Sequence, residues 1–199
     1  FDSLSSISDE ICKPFSKDRK GINIGEAAAV FVMSKEQLND HAVAFLGGGE
    51  SSDAHHISAP ISDGSGAISA MQKALNDANL LATDIDYINA HGTATVQNDA
   101  MESLAISKVF GNNTPVSSSK HLTGHTLGAA GALEAGLCWL YLAYPEFTRL
   151  VFNNAEVDES LSDINLITQP RDASVSYCLS NSFAFGGNNV SVILGHLHE

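Results

Sequence analysis

Basic residues are scarce: ten Lys and Arg stand against 23 Asp and Glu in 199 residues, a formal net charge of −13. A nucleic-acid backbone is held by a basic surface that releases counterions, so this balance opposes such a partner. Cysteine is scarce too. Cys12, Cys138 and Cys178 are odd in number, widely spaced and free of any CxxC pattern, which excludes a disulfide framework and a cysteine zinc site and fits a reducing cytoplasm. No long hydrophobic run is present. The longest, Gly128 to Tyr144, is shorter than a bilayer span, contains Glu134 and consists largely of Gly and Ala, so it reads as a buried helix and no membrane partner is expected. A basic n-region followed by an apolar h-region is also missing, and a start at Phe1 reads as a chain that begins mid-protein. HExxH, EF-hand, P-loop and GxGxxG patterns are absent, and His55-His56 has no further ligands in register; no metal site and no nucleotide cofactor are expected.

What is present is an ordinary globular composition, 44% hydrophobic and 17% charged, long enough for one sizeable core. Four of the ten basic residues, Lys13, Lys17, Arg19 and Lys20, gather in one short segment, either a dock for an acidic partner or a solvated loop. Ala27 to Met33 and His41 to Leu46 read as short buried strands, and Gly47 to Gly64 as a long glycine-bearing loop. Ser65 can cap a helix whose apolar residues Ile68, Met71, Leu75 and Ala78 recur at helical spacing. The chain then alternates: a strand at Ile85 to Asn89, a helix around Ala100 to Val109, a strand at Pro115 to Ser118, and the Gly/Ala helix from Gly128. Two last strands, Val175 to Leu179 and Val190 to Leu194, bracket Phe183 to Gly187. This is the rhythm of an α/β fold with a mixed or mostly parallel sheet, in which chemistry sits on loops beyond strand ends.

Three polar, glycine-bearing loops lie at such ends. His91 directly follows an apolar strand and precedes the hydroxyls of Thr93 and Thr95, although a lone histidine of this kind is more often structural than catalytic. His125 precedes a helix rich in small residues. The positive end of that dipole would keep the imidazole neutral, able to donate from Nε2; the plain alternative is a helix cap. Lys120 follows three serines, and Ser117-x-x-Lys120 matches the serine–lysine pattern of penicillin-binding enzymes, though it falls at a strand end rather than opening a helix. Phe185-Gly186-Gly187 makes a turn whose amides could form an oxyanion hole, or an ordinary glycine turn.

Taken in order, several segments resemble the elongating β-ketoacyl-acyl-carrier-protein synthases of the thiolase superfamily, over nearly the whole chain. They are Lys13 to Arg19 with Gly25-Glu26-Ala27; Ser52-Asp53-Ala54-His55 to Pro60; Asn89 to Thr95 with Asn98, Asp99 and Glu102; Ser118-Ser119-Lys120 with Gly124-His125, Gly128 to Gly131 and Glu134; and Asn181 to Asn189. The resemblance implies a thiolase-like layered αβαβα fold built of two similar halves. This chain would be the C-terminal half, with residues 1–36 the end of the N-terminal half and 37–199 the C-terminal domain. The implied reaction is a decarboxylative Claisen condensation of an acyl thioester with malonyl on an acyl carrier protein. His91 and His125 would be the catalytic histidines and Lys120 the organising lysine, with Glu102 as its partner. Thr93 and Thr95 would bind the phosphopantetheine arm, while Phe185, Phe183 and Gly186 would supply the oxyanion donor and the gate. No cofactor is implied beyond that arm. The nucleophilic cysteine would lie in the missing N-terminal half, leaving the isolated chain inactive, and the whole would be a homodimer or a condensing heterodimer. Ala184 replaces the usual glycine, Asn188 the usual threonine, and Val96-Gln97 the usual Pro and small residue; Ala184 would stiffen a loop expected to move. The alternatives are a non-catalytic chain-length-factor partner, a thiolase or polyketide condensing activity, and a serine–lysine hydrolase using Ser117.

Overall fold

The computed structural model describes residues 6–196 apart from 40, 145, 148 and 154. Six strands form one sheet: β1 (Ala44–Ser52), β2 (Tyr87–Asn89), β3 (Pro115–Ser117), β4 (Asn165–Leu166), β5 (Tyr177–Ala184) and β6 (Asn188–Gly195), ordered β1-β6-β5-β2-β3-β4. The central β5-β2-β3-β4 strands run parallel, and β1 and β6 are antiparallel. Among the described residues the α-helices are α1 (Ser65–Ala78), α2 (Val96–Phe110), the single turn α3 (Lys120–Thr123) and α4 (Ala130–Ala143), with 3-10 turns at Ala82–Asp84 and Leu127–Ala129.

Side chains alternate across a strand, and β5 uses both directions. Leu179 joins Met71, Ile88, Ile106 and Ile193 in a core shared with α1 and α2, whereas Cys178 joins Tyr87, Cys138 and Leu142 in a second core shared with α4. The sheet is therefore buried on both faces, with α1 and α2 on one side and α4 on the other. Each fully buried aliphatic side chain contributes about 2 kcal/mol to this arrangement.

The glycines after Leu46 do not open a loop; they lie within β1. A Cβ at Gly49 would stand 2.0 Å from the Ala70 carbonyl oxygen, and one at Gly47 2.6 Å from that of Ala74. Their missing side chains let α1 sit directly on the strand, so the true loop runs only from Asp53 to Gly64. Ser65 is the first helical residue rather than the cap: Gly64, at φ +69°, takes the cap position, and Asp63 Oδ1 accepts from Ser65 N–H at 2.9 Å. Helix α2 starts earlier than its apolar pattern suggests because Thr95 caps it, accepting from Asn98 N–H. The expected buried strand at Ala27 to Met33 is not one. Among the described residues no strand pairs with it, and Val30, Val32 and Met33 are 92%, 85% and 75% exposed.

Candidate active site

Three neighbouring parallel strands end side by side. Asn89 of β2 lies opposite Ser117 of β3 and Ser180 of β5, so the residues just beyond them converge: His91 after β2, Lys120 after β3, and Phe183 on the continuation of β5. His125 reaches the same place from the loop after α3, held there by its N–H donating to the Asn23 carbonyl at 2.7 Å. The rings of His91 and His125 meet edge to face with centroids 5.2 Å apart, and Phe183 packs edge-on against His91 at 6.0 Å.

The backbone around His91 is fixed by a buried carboxylate. Glu102, fully buried on α2, accepts from His91 N–H at 2.8 Å through Oε1 and from Gly92 N–H at 2.7 Å through Oε2, with Asn181 Nδ2 and Asn98 Nδ2 each at 3.3 Å. Burial pushes its pKa up to about 7 against these hydrogen bonds. Asp99, three residues earlier, accepts from Phe15 N–H at 2.7 Å and Ala94 N–H at 3.2 Å, tying the 13–20 segment and the His91 loop to the start of α2. Burial raises it to about 6.

The partner expected for Lys120 is corrected by this geometry. Its ammonium donates to Glu134 of α4, not to Glu102, and both members of the pair are buried. Lys120 Nζ also lies 3.4 Å from His91 Nδ1. Burial first, then the Lys120 charge and His125, hold His91 well below the usual histidine range; burial and Lys120 take His125 down to about 4. Both rings are therefore neutral donors at pH 7. His125 stands two residues before a 3-10 turn, Leu127–Ala129, that runs directly into α4.

The two histidines open into a cavity of about 540 Å³, also lined by Thr93, Thr95, Gln97, Phe183 and Phe185. Thr93 Oγ1 and Thr95 Oγ1 lie 3.0 Å apart. Phe185 is half exposed at the tip of the β5–β6 turn, where Gly186 and Gly187 adopt φ of +84° and +77°, conformations that favour glycine. Gly186 is not placed as an oxyanion donor. Its N–H donates to the Ile57 carbonyl at 2.8 Å, which ties the turn to the 53–61 loop. Ala184 ends β5 in ordinary pairing with Asn188.

Two alternatives left open by the sequence lose ground in the same geometry. The basic residues are paired with carboxylates, Lys13 with Glu10, Lys20 with Glu10 and Asp9, Lys17 with Glu156 and Arg19 with Asp158, which favours a solvated loop over a dock for an acidic partner. Ser117 is buried with its hydroxyl 2.8 Å from Tyr87 OH and is no nucleophile for Lys120. Among the described residues no group of three or more His, Cys, Asp or Glu could hold a metal ion, and no helix is long and apolar enough to cross a membrane.

Residues 43–150 match the β-ketoacyl synthase C-terminal domain. The chain is 36% identical to a 3-oxoacyl-[acyl-carrier-protein] synthase 2 of Vibrio harveyi, covering 98% of this chain and 50% of that protein. It is 40% identical to one of Rhizobium meliloti, covering 94% and 46%. Among solved structures, a chain of a ketosynthase in complex with its chain length factor from Xenorhabdus doucetiae superposes with a TM-score of 0.86 at 47% identity, over 99% of this chain and 49% of that one. The chain thus spans about half the length of the relatives it matches, and its fold is the C-terminal half of their thiolase-like architecture. By its matched domain and by this likeness, the chain belongs to the β-ketoacyl synthase family.

Proposed function

We propose that this chain is the C-terminal half of a 3-oxoacyl-[acyl-carrier-protein] synthase of fatty acid or related polyene or polyketide biosynthesis, which condenses a cysteine-bound acyl group with malonyl on a carrier protein. The observation that carries the reading is the pair of neutral imidazoles, 5.2 Å apart, in one cavity beside a buried Lys120–Glu134 pair. Decarboxylation breaks the bond between the malonyl methylene and its carboxylate, releasing carbon dioxide and leaving the electron pair on an enolate. That enolate oxygen needs hydrogen-bond donors that do not hand over a full proton, and His91 and His125 are suited to it. The enolate carbon then attacks the acyl thioester, and the tetrahedral oxyanion collapses to expel the cysteine thiolate. The Phe185 amide is assigned to that oxyanion, and its ring to the gate.

Thr93 and Thr95 are assigned to the phosphopantetheine arm. No further cofactor is required, since loss of carbon dioxide generates the carbanion. The nucleophilic cysteine is assigned to the N-terminal half, because Cys12, Cys138 and Cys178 are all buried in structural positions. The exposed apolar run at Val30 to Met33 supports packing against that half. The complete protein is read as a cytoplasmic homodimer or condensing heterodimer served by an acyl carrier protein.

The test is release of labelled carbon dioxide from malonyl-carrier protein by the complete protein. His91→Ala and His125→Ala should each lower it by orders of magnitude while acylation of the cysteine changes far less. Equal losses in both steps would assign the histidines to structure. A complete protein without a reactive cysteine would instead be the non-catalytic chain-length-factor subunit.

A further inference from the structure

Strands β5 and β6 carry a polar pair into the core that they share with α1 and α2. Asn181 and Ser191 lie opposite each other in the ladder, both fully buried, on the face that Leu179 and Ile193 fill with hydrocarbon. A buried amide and hydroxyl are tolerated where their hydrogen bonds are made. Ser191 Oγ donates to Asn181 Oδ1 at 2.7 Å; at the other end of the amide, Nδ2 donates to Glu102 Oε1 at 3.3 Å and to Met71 Sδ at 3.5 Å. An ionised carboxylate can only accept, so the nitrogen end faces Glu102 and Oδ1 is left to the serine. Each oxygen of Glu102 then holds one loop N–H and one side-chain amide: Oε1 takes His91 N–H and Asn181, Oε2 takes Gly92 N–H and Asn98. Asn98 lies on the same helix as Glu102, so of these donors only Asn181 ties the carboxylate to the sheet. Glu102, Asn181 and Ser191 do not line the cavity, so their reach to the chemistry is through His91.

We propose that Asn181 and Ser191 are positioning residues for decarboxylation: the serine hydroxyl fixes the asparagine amide, the amide fixes Oε1 of Glu102, and Oε1 fixes the backbone of His91. This rests on the synthase reading above. Without the Ser191 hydroxyl, Asn181 Oδ1 is a buried acceptor with no partner, and the amide shifts to find one. Oε1 then loses a donor, and the His91 N–H loses a fixed anchor. The imidazole moves with its backbone relative to His125, which spoils their joint donation to an enolate while the walls of the cavity stay in place.

The experiment uses the complete enzyme above pH 7, where Glu102, with its pKa pushed up to about 7, is ionised. It compares wild type with Ser191→Ala, Asn181→Ala and the double variant. Three readouts are followed in each: release of labelled carbon dioxide from malonyl-carrier protein, acylation of the cysteine, and hydrogen exchange at the His91 and Gly92 amides. Ser191→Ala should lower kcat for carbon dioxide release about tenfold, the size expected of one buried hydrogen bond, with KM and acylation little changed. Exchange at His91 and Gly92 should quicken in the same variant while the amides of β3 keep their rates. Asn181→Ala should lose more, and adding Ser191→Ala to it should cost nothing further, because the serine acts through the amide. Additive losses of kcat in the double variant overturn the proposal. So does a Ser191→Ala protein that is less stable but keeps its kcat and its exchange rates, or one that loses acylation as much as decarboxylation; either leaves the pair a filling of the core. A wild-type protein that releases no carbon dioxide overturns the synthase reading and this inference with it.

Discussion

Lys120 holds its ammonium between two groups with opposite effects on charge: it donates to the buried carboxylate of Glu134 and lies 3.4 Å from Nδ1 of His91. The carboxylate makes a buried cation tolerable, and the cation adds to burial, the larger cause, in keeping the histidine neutral. Glu134→Leu removes only the first of these and leaves an uncompensated charge in the core, at a cost of about 3–5 kcal/mol. Adding Lys120→Met should restore most of that stability, because the stranded charge is gone. Denaturant unfolding of the single and double variants measures the difference; additive losses would mean that the two side chains do not act as a pair.

The low pKa of His125 has a kinetic and a thermodynamic signature. An ordinary histidine would protonate near 6.5, whereas His125 does so at about 4, with burial the larger cause and Lys120 the smaller. Decarboxylation by the complete enzyme should therefore keep its rate well below pH 6, and an acid limb centred at 6.5 would contradict the assignment. Between pH 6.5 and about 4 the unfolded chain binds a proton that the folded chain refuses. Stability from this group is present above that window and is lost as pH falls through it.

Glu102 titrates with the opposite sign. Its folded pKa is raised from 4.5 to about 7, so across that interval the folded carboxyl keeps a proton the unfolded one has released, and stability falls as pH rises. Glu102→Gln removes this titration and sets an amide N–H against one of the two backbone donors, costing about 1–3 kcal/mol. The stability gap between wild type and variant should be widest near pH 5 and narrow by pH 8. A gap independent of pH would show that the carboxyl does not titrate there.

Two glycine substitutions should part company. At Gly49 a Cβ would meet the Ala70 carbonyl oxygen at 2.0 Å and Ala74 N at 2.5 Å, both backbone atoms that cannot swing away. Gly49→Ala should cost at least about 2 kcal/mol, as an overpacked contact does. At Gly128 a Cβ meets nothing within 4 Å and no left-handed φ is required, so Gly128→Ala should change stability by no more than about 0.5 kcal/mol. Thermal unfolding of the two variants side by side is the check.

Most of the helix and strand order, the three strand-end loops and the pair of histidines were legible in the sequence, because apolar periodicity and polar loop chemistry are local signals; the short elements α3 and β4 were not. The partner of Lys120 was not. Glu102 and Glu134 both lie on helices, and only the tertiary path of α4 decides which faces the lysine; the available hint was that Glu134 is the one charge in an otherwise apolar helix, and a buried charge needs a mate. Asp99 escaped notice as a strut because both amides it holds, Phe15 and Ala94, belong to loops whose convergence has no sequence pattern. The glycines of β1 were misread for a related reason. Glycine in a turn and glycine under a helix look alike until the helix is in place. The run at Ala27 to Met33 has the composition of a buried strand but no partner among the described residues.

The sheet's first strand is hydrogen-bonded to its last: Ala44 lies opposite Gly195, with every other element of the sheet between them in the chain. On a ribosome, β1 must therefore wait, with its glycine-rich edge unpaired, until β6 has emerged. Loop closure over such a separation is slow, so the central parallel strands and their helices can assemble before the edge is laid down. During that wait α1 is the neighbour available to β1, and the side-chain-free path at Gly47 and Gly49 lets the helix shield the strand before its true partner arrives.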